Sequence, residues 1–234
     1  MKVVILAGGL GTRISEHTQF TPKPMIKLNN KPIVHHIIDI YKFFGLNDFI
    51  IATGYKSASI EKYFKKKNIN DCRIKVVNTG KNTLTGSRLL KLKKYLTKTF
   101  MLTYGDGFAN VNIKKLIKFH KKHKKIITVT SVHPPARFGE LKLKQNQVNS
   151  FVEKPQLNRG WINGGFFVID PKFFNFIPKK NVMLEREPIQ NCIKKKQLMA
   201  FKHEKFWYCI DTKRDLDMMR LKIKKEKKLP WQFN

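Results

Sequence analysis

A glycine-rich segment with two nearby cations is the part of this sequence best suited to chemistry. Residues 8–13 read GGLGTR and directly follow the apolar run VVIL at residues 3–6, and Lys23 lies a little further on between two prolines. Glycines let backbone N–H groups approach phosphate oxygens, and a nest of such amides favours anions. Arg13 and Lys23 would supply the positive charge that a nucleoside triphosphate requires. The alternative is a glycine turn that merely begins a helix, and the two cations favour the phosphate site.

Two common phosphate-binding loops do not fit this segment. A Walker A loop ends in Gly-Lys followed by Ser or Thr, whereas Gly11 is followed here by Thr12 and Arg13. The dinucleotide-binding fingerprint needs a third small residue at the position that Ile14 occupies. The pattern therefore indicates neither an ordinary kinase or GTPase nor a dehydrogenase.

Two aspartates follow apolar segments that are expected to be strands. Asp106 stands between glycines after the segment FMLT at residues 100–103, and Asp211 follows FWYCI at residues 206–210. Carboxylates at the carboxyl ends of strands commonly hold a divalent ion against substrate phosphates. Taken singly, each aspartate also fits an ordinary turn.

The first half of the chain alternates between helix-like and strand-like segments. Apolar residues at helical spacing predict a helix over residues 33–44, which Gly45 ends, and the run at 49–53 predicts the next strand. Such alternation predicts an α/β fold with a mostly parallel, Rossmann-like sheet flanked by helices. The further predicted elements are helices at 59–66, 89–96 and 113–123 and strands at 74–77, 100–103 and 126–132.

The second half has a different, β-rich pattern. The predicted elements are a hairpin from 140–143 and 148–152, a strand at 165–169 and a charged helix at 222–228. Trp231 is expected to pack back on the body. We therefore expect a single domain over residues 1–234, with a nucleotide-binding half at 1–132 and a smaller β-rich lobe at 133–234.

Three polar segments follow strand ends in this scheme. They are residues 8–13, 79–88 and 104–107. Open α/β sheets bind their ligands outside the carboxyl ends of the strands. We expect the three segments to converge on one crevice.

The composition adds a strong positive charge. Lys and Arg number 48 against 16 Asp and Glu, which gives a formal net charge of +32. Such a charge often indicates a nucleic-acid or anionic membrane partner. The cations are mostly lysines spread along the whole chain rather than clustered arginines, so a composition effect is favoured over specific nucleic-acid binding.

Cysteine content and hydropathy exclude several other classes. Cys72, Cys192 and Cys209 are few, odd in number and widely separated, so we predict neither a disulfide framework nor a zinc knuckle and interpret all three as structural. No apolar stretch is long enough to span a bilayer. The sequence enters a strand at once, and a cytoplasmic protein without a processed leader is expected.

The histidines do not indicate a second site. His35 and His36 fall within the first predicted helix and are interpreted as ordinary packed or surface imidazoles. His120 and His123 have a spacing that could hold a metal, but no third ligand is evident. No Ser-His-Asp or Cys-His arrangement is visible.

The phosphate-binding segment also resembles a known signature. Residues 8–13, followed by PKPM at 22–25, resemble the motif of sugar-1-phosphate nucleotidylyltransferases. Later motifs are similar to those of the cytidylyl-transferring members of that family, in matching order along nearly the whole chain. They are TYGDG at 103–107, PARFG at 135–139, VEKP at 152–155, INGGFF at 162–167, IDTKRD at 210–215 and PW at 230–231.

The resemblance implies a nucleotidyltransferase fold and three kinds of site. The residues that would bind the nucleotide are Leu6, Ala7, Gly8, Gly9, Leu10, Gly11, Thr12, Arg13, Lys23, Thr83, Arg88 and Gly105. The residues that would bind the sugar phosphate are Gly139, Glu153, Lys154, Asn163 and Gly164. Asp106 and Asp211 would hold Mg²⁺, and Arg13, Lys23 and Asp106 would be the catalytic residues.

The implied reaction transfers a cytidylyl group from CTP to α-D-glucose 1-phosphate and yields CDP-glucose and pyrophosphate. The product would serve deoxysugar and surface polysaccharide biosynthesis, such as that of O antigen. The implied partners are CTP, a sugar 1-phosphate and further copies of the chain in a homo-oligomer, with no specific nucleic acid and no membrane.

Some alternatives stay open from the sequence. They are another NTP, another acceptor such as heptose 1-phosphate or phosphocholine, and a non-catalytic polyanion-binding module on the same fold. The chain also departs from the family pattern between Tyr63 and Asn78, where relatives carry a longer insertion. Such an excision changes the rim of a pocket and the contacts between subunits.

Overall fold

A computed structural model describes residues 1–14, 18, 21–67, 69–134, 140–152 and 160–233. Its strands are β1 (Lys2–Ala7), β2 (Lys27–Leu28), β3 (Lys31–Pro32), β4 (Asp48–Thr53), β5 (Arg73–Asn78), β6 (Phe100–Tyr104), β7 (Gly107–Ala109), β8 (Ile127–Val132), β9 (Glu140–Lys144), β10 (Gln147–Val152), β11 (Ile162–Asn163), β12 (Phe167–Ile169), β13 (Leu198–His203) and β14 (Trp207–Cys209). Its α-helices are α1 (Ile33–Phe43), α2 (Ser57–Lys66), α3 (Thr85–Leu90), α4 (Ile113–His123), α5 (Glu187–Lys194) and α6 (Lys213–Glu226). Short 3₁₀ turns occupy Thr12–Ile14, Lys23–Met25, Lys93–Tyr95 and Pro171–Phe176.

The centre of the main sheet consists of parallel strands in the order β6-β1-β4-β5. Val3 of β1 lies opposite Phe49 of β4 on one side and Met101 of β6 on the other. Beyond β6, the antiparallel strand β12 connects this parallel core to β8, which pairs in turn with β11 and β13. The expected α/β fold with a parallel, helix-covered core is confirmed.

The apolar runs of the central strands are explained by burial on both faces. Val3 and Ile5 of β1 belong to one core, whereas Val4 and Leu6 belong to the core on the opposite face. The isoleucines of α1 pack into the first core, and Leu89 of α3 packs into the second. A strand covered on both faces reads as a continuous hydrophobic run, as β1 does.

Strands from the second half of the chain join the same sheet. β11, β12 and β13 extend the main sheet, and β9 pairs with β10 in the expected hairpin. β14 lies antiparallel to β7, with Cys209 opposite Gly107. This small pairing matters for the site, because it brings the chain around Asp211 next to the chain around Asp106.

The helix at residues 85–95 differs from its expected position. The pattern predicted a helix over 89–96, but α3 begins at Thr85 and gives way after Leu90 to a 3₁₀ turn. The first turn of α3 contains Gly86, a poor helix former. A Cβ at Gly86 would lie 2.9 Å from the carbonyl oxygen of Val182, so this turn is held by contacts remote in sequence.

The last helix is longer than the charge pattern predicted. It begins at Lys213 rather than near residue 222, because Thr212 and Asp215 form a capping box. The Thr212 side chain accepts from the Asp215 backbone N–H, and the Asp215 carboxylate accepts from the Thr212 N–H. The cap also fixes the backbone next to Asp211.

The C-terminal tryptophan packs on the body, as expected. Trp231 is 2% exposed, and its ring stacks on Phe108 with a centroid distance of 4.2 Å. His36 of α1 makes an edge contact with the same ring at 5.3 Å. The tail is therefore held against α1.

The three cysteines are free thiols.

His120 and His123 have a packing role. The hydroxyl of Thr128 hydrogen-bonds to His120 Nδ1 at 2.8 Å and to His123 Nε2 at 2.7 Å. Within the described part of the chain, these two imidazoles do not belong to a cluster of metal ligands. No described helix combines the length and the apolar character needed to cross a bilayer.

Fold stability should decrease as the pH falls from 7 to 4.5. Burial, followed by the nearby His123, lowers the pKa of His120 to about 4, whereas an unfolded histidine titrates near about 6.5. Between pH 6.5 and 4, the unfolded chain binds a proton at His120 that the folded chain does not bind. The contribution of His120 to stability is therefore complete above pH 6.5 and is lost as the pH falls toward 4. The His120 contribution to this loss should be about 2 kcal/mol.

Urea unfolding of the wild type and of His120→Gln at the two pH values measures that contribution. The variant should lose less stability than the wild type between pH 7 and 4.5. An identical loss in both proteins would contradict the assignment to His120.

Candidate active site

The polar loops at the carboxyl ends of the parallel strands converge, as expected, on one cavity. It has a volume of about 560 Å³. Every residue that the resemblance assigns to the nucleotide lines it, and so do Asp106 and Asp211. The cavity thus brings the glycine-rich segment, the two candidate metal ligands and the loop before α3 to one place.

Two glycines are needed where the loops after β1 and β6 meet. Gly11 has a φ of 67°, a conformation that favours glycine, and a Cβ there would lie 2.8 Å from the Thr18 methyl carbon. The Gly105 N–H donates to the Leu6 carbonyl oxygen at 2.9 Å. A Cβ on Gly105 would approach the same oxygen to 2.9 Å, so a larger residue would separate the two loops.

Two cations and two carboxylates form an ion cluster at the cavity wall. Lys23 Nζ lies 2.7 Å from Asp106 Oδ2 and 3.1 Å from Asp211 Oδ1. Arg13 also donates to Asp211. The Lys23 side chain is 11% exposed and the Arg13 side chain 71% exposed, so the lysine is held in place and the arginine reaches in from the rim.

The Lys23 ammonium stays charged in this cluster. Burial by itself lowers the pKa of Lys23, but the attraction of Asp106, with a smaller contribution from Asp211, outweighs it and the pKa is raised. A lysine with a raised pKa is a poor general base at neutral pH. Its chemistry here is therefore to bind and neutralise anions.

Asp211 is positioned by backbone contacts on both sides. The Ile210 N–H donates to the Asp106 carbonyl oxygen at 3.0 Å. On the other side, the Asp211 N–H donates to the carboxylate of Asp215, the residue that caps α6, also at 3.0 Å. The residue directly before Asp211 is thus hydrogen-bonded to the Asp106 backbone, which holds the two metal-ligand candidates close together.

The chemistry of the donor set fits a hard divalent cation. Ligand atoms of Asp106, Asp211 and Cys209 all lie within 4.8 Å of one another. Burial, followed by the charge of Asp106, raises the pKa of the Cys209 thiol, so this group stays protonated. The two carboxylates are the oxygen ligands that such an ion prefers, with substrate phosphates and water completing its shell.

Arg88 ties the cavity loops together. The resemblance assigns it to the nucleotide, and it lines the cavity, but it is 3% exposed and its guanidinium donates to backbone carbonyls. The acceptors are the oxygens of Thr53 at 2.5 Å, Thr83 at 2.7 Å and Gly8 at 3.1 Å. The loops after β1, β4 and β5 are therefore held by one side chain.

Arg88→Ala should destabilise the fold by about 3 kcal/mol, because it removes a buried side chain whose hydrogen bonds join three segments and leaves a cavity in its place. Thermal or urea unfolding measures the change. The matched control is Arg73→Ala, which removes an exposed ion pair with Asp48 at 3.3 Å and should cost less than about 1 kcal/mol. Equal small losses in the two variants would show that Arg88 does not hold the loops.

The expected sugar-phosphate residues lie only partly within the described chain. Gly139, Glu153 and Lys154 lie outside the described residues. Asn163 is exposed at the end of β11, and its side-chain amide donates to the Tyr104 hydroxyl at 3.0 Å. Gly164 is buried: a Cβ there would lie 2.7 Å from Val132. Tyr104 itself lines the cavity, so Asn163 lies next to its wall.

Met183 and Glu185 are among the residues at this wall that the sequence did not single out. Met183 lines the cavity, and Glu185 accepts a hydrogen bond from the Tyr104 hydroxyl. They alternate in burial with Val182 and Leu184, but Met183 is itself apolar, so this alternation is not visible in the sequence.

The chain is similar to known proteins over most of its length. The family model described as Nucleotidyl transferase matches residues 2–226. The glucose-1-phosphate cytidylyltransferase of Salmonella typhimurium is 41% identical over 238 aligned positions, which cover 92% of this chain and 93% of that relative. The probable glucose-1-phosphate cytidylyltransferase of Bacillus subtilis is 40% identical with the same coverage.

A solved structure with the same fold is that of HddC from Yersinia pseudotuberculosis. It superposes with a TM-score of 0.73 at 26% identity and covers 95% of this chain and 99% of its own.

Proposed function

The chain belongs to the nucleotidyl transferase family, and for this enzyme we propose the transfer of a cytidylyl group from CTP to α-D-glucose 1-phosphate. The products are CDP-glucose and pyrophosphate. The relatives at 40 and 41% identity support this choice of substrates. The structural observation that carries the chemistry is Lys23, held between Asp106 and Asp211 in the wall of the cavity.

The reaction is an in-line displacement at the α-phosphorus of CTP. A phosphate oxygen of the sugar 1-phosphate forms the new bond, the bond from the α-phosphorus to the bridging oxygen breaks, and pyrophosphate leaves with the electron pair. The nucleophile is already an anion, so no general base and no covalent enzyme intermediate are needed. The protein contributes positioning and charge neutralisation.

Each charged residue of the cavity has a part in this scheme. Lys23 and Arg13 bind triphosphate oxygens and offset the charge that grows on the leaving pyrophosphate. The amides of the loop from Gly8 to Gly11 hold the same phosphates. Asp106 and Asp211 would hold Mg²⁺, which supplies Lewis-acid charge stabilisation at the phosphates when it is bound. The carboxylate and phosphate oxygens suit a hard divalent cation, of which Mg²⁺ is the usual partner of substrate phosphates.

The sugar 1-phosphate approaches from the side of Asn163. Glu153 would accept from sugar hydroxyls, Lys154 would bind the phosphate, and Gly139 and Gly164 would line the same subsite, as the resemblance implies. We place the enzyme in the cytoplasm as a homo-oligomer that supplies CDP-glucose for surface polysaccharide synthesis. Because the lysines are dispersed along the chain rather than clustered, specific nucleic-acid binding is not part of this proposal.

A pyrophosphate-release assay with a panel of nucleotides and acceptors tests the proposal. CTP with glucose 1-phosphate should give the highest kcat/KM among CTP, UTP, dTTP, GTP and ATP combined with hexose 1-phosphates, heptose 1-phosphate and phosphocholine. A preference of about tenfold or more for another nucleotide or acceptor would overturn the substrate assignment. No pyrophosphate from any NTP, together with salt-resistant nucleic-acid binding, would favour a binding module instead.

A further inference from the structure

A chain of side-chain hydrogen bonds runs along the cavity wall from α3 to β11. Thr85 Oγ1 donates to Glu185 Oε2 at 2.7 Å, and the Tyr104 hydroxyl donates to Glu185 Oε1 at 2.6 Å. Asn163 Nδ2 then donates to the Tyr104 oxygen at 3.0 Å. At the far end, the Gly165 N–H donates to Asn163 Oδ1 at 2.9 Å.

The direction of every bond in this chain is determined by its two ends. An ionised carboxylate only accepts, so the Tyr104 hydroxyl must give its one proton to Glu185. Burial, and then the charge of Glu185, raises the pKa of Tyr104, so the phenol keeps that proton. At the other end, Thr85 Oγ1 accepts from the Leu184 N–H at 2.8 Å and therefore also directs its own proton to Glu185.

The same logic sets the orientation of the Asn163 amide. Because the Tyr104 proton is committed to Glu185, its oxygen offers only lone pairs, and Asn163 must face it with the NH₂ group. The backbone N–H of Gly165 requires the amide oxygen on its own side. Two independent neighbours therefore hold one of the two possible amide orientations.

We propose that Tyr104 and Glu185 are positioning residues that fix Asn163 as a hydrogen-bond donor toward an oxygen of the sugar 1-phosphate. The Tyr104 oxygen accepts from one N–H of the Asn163 amide, and the second N–H donates to the substrate. The inference rests on the proposed function, because it assumes a sugar phosphate beside Asn163. The arrangement also adds specificity. If the Asn163 amide were flipped, its carbonyl oxygen would face the substrate and repel a substrate oxygen that can only accept hydrogen bonds.

The position of Tyr104 supports this assignment. Its hydroxyl connects Asn163 to Glu185, its backbone directly precedes the Gly105-Asp106 turn, and its ring packs edge-on against Phe167 with a centroid distance of 5.9 Å. The hydroxyl is thus held by the sheet itself. Rigid support from neighbouring side chains of this kind keeps a binding group within its productive geometry.

Steady-state kinetics on Tyr104→Phe test the proposal. The KM for glucose 1-phosphate should rise about 3- to 10-fold, the scale of one neutral hydrogen bond, while the KM for CTP changes less than about 2-fold. Glu185→Gln should raise the same KM, because an amide at this position no longer forces the Tyr104 proton in one direction. A merely structural role would move both KM values together.

Matched controls are available in the chain. Tyr63→Phe removes a phenol that hydrogen-bonds to His35, and Glu187→Gln removes a carboxylate from an exposed pair with Lys180. Neither should alter the KM for glucose 1-phosphate. Thermal unfolding of all variants identifies any loss of fold.

A double-mutant cycle shows whether Tyr104 acts through Asn163. In an Asn163→Ala background, Tyr104→Phe should have almost no further effect on the KM for the sugar phosphate. Additive effects, or an equal rise in both KM values, would overturn the proposal. If the wild type uses another sugar 1-phosphate, the proposed substrate is wrong. The same double-mutant cycle, measured with that other acceptor, then still tests whether Tyr104 positions Asn163.

Discussion

Asp106→Asn is expected to lower kcat by about 10³-fold or more, because the substitution removes a ligand charge from the divalent-metal site beside the triphosphate. The fold should be retained. Lys23 keeps its contact with Asp211 at 3.1 Å when the Asp106 carboxylate is lost. Turnover at saturating CTP and glucose 1-phosphate over a range of Mg²⁺ concentrations measures the effect, with thermal unfolding as the check on structure.

The partner substitution and a matched control complete this test. Asp211→Asn should cause a loss of similar size if both carboxylates bind the same ion, as proposed. Asp217→Asn removes a half-exposed carboxylate that pairs with Arg220 at 3.7 Å on α6, and turnover should not change. Near-normal activity of either site variant at saturating Mg²⁺ would refute a shared metal site.

Lys23→Ala is expected to lower kcat by about 10²- to 10³-fold, the scale of losing one preorganised donor to a developing anion. The ammonium is placed for this role by burial and by contacts to both carboxylates, whereas an exposed lysine has no fixed position. The KM for CTP should also rise, since the same charge binds the triphosphate in the ground state. Single-turnover kinetics separate the two effects.

The control for Lys23 is another lysine of the same chain. Lys66 is exposed at the end of α2, and Lys66→Ala changes the net charge by the same amount. It should leave turnover unchanged. Equal effects of the two substitutions would mean that overall positive charge, and not the placement of Lys23, assists the reaction.

Local patterns predicted the parts of this molecule that depend on near neighbours in sequence. The apolar run at residues 3–6 indicated a strand covered on both faces, and β1 is one. The glycine-rich segment indicated a turn with unusual backbone conformation after β1, and Gly11 has a positive φ. Burial, periodicity and backbone conformation are properties of a few consecutive residues, so a single sequence carries them.

Contacts between distant segments could not be read in the same way. Asp106 and Asp211 each fitted an ordinary turn, and only the pairing of β14 with β7 brings them together. The sequence likewise did not indicate that the buried Arg88 guanidinium donates to the carbonyl oxygens of Gly8 and Thr53, which lie far from it along the chain.

The sequence by itself thus determined the strand-and-helix order, the glycine-rich turn after β1 and the chemical types of the residues that line the cavity. The tertiary structure alone decided that Asp106 and Asp211 lie together, that Arg88 joins three loops, and that Tyr104 connects Glu185 to Asn163 by hydrogen bonds. The physical reason is that hydrogen bonds and ion pairs are short-ranged in space but carry no signature along the chain. Their partners become neighbours only when the sheet has assembled.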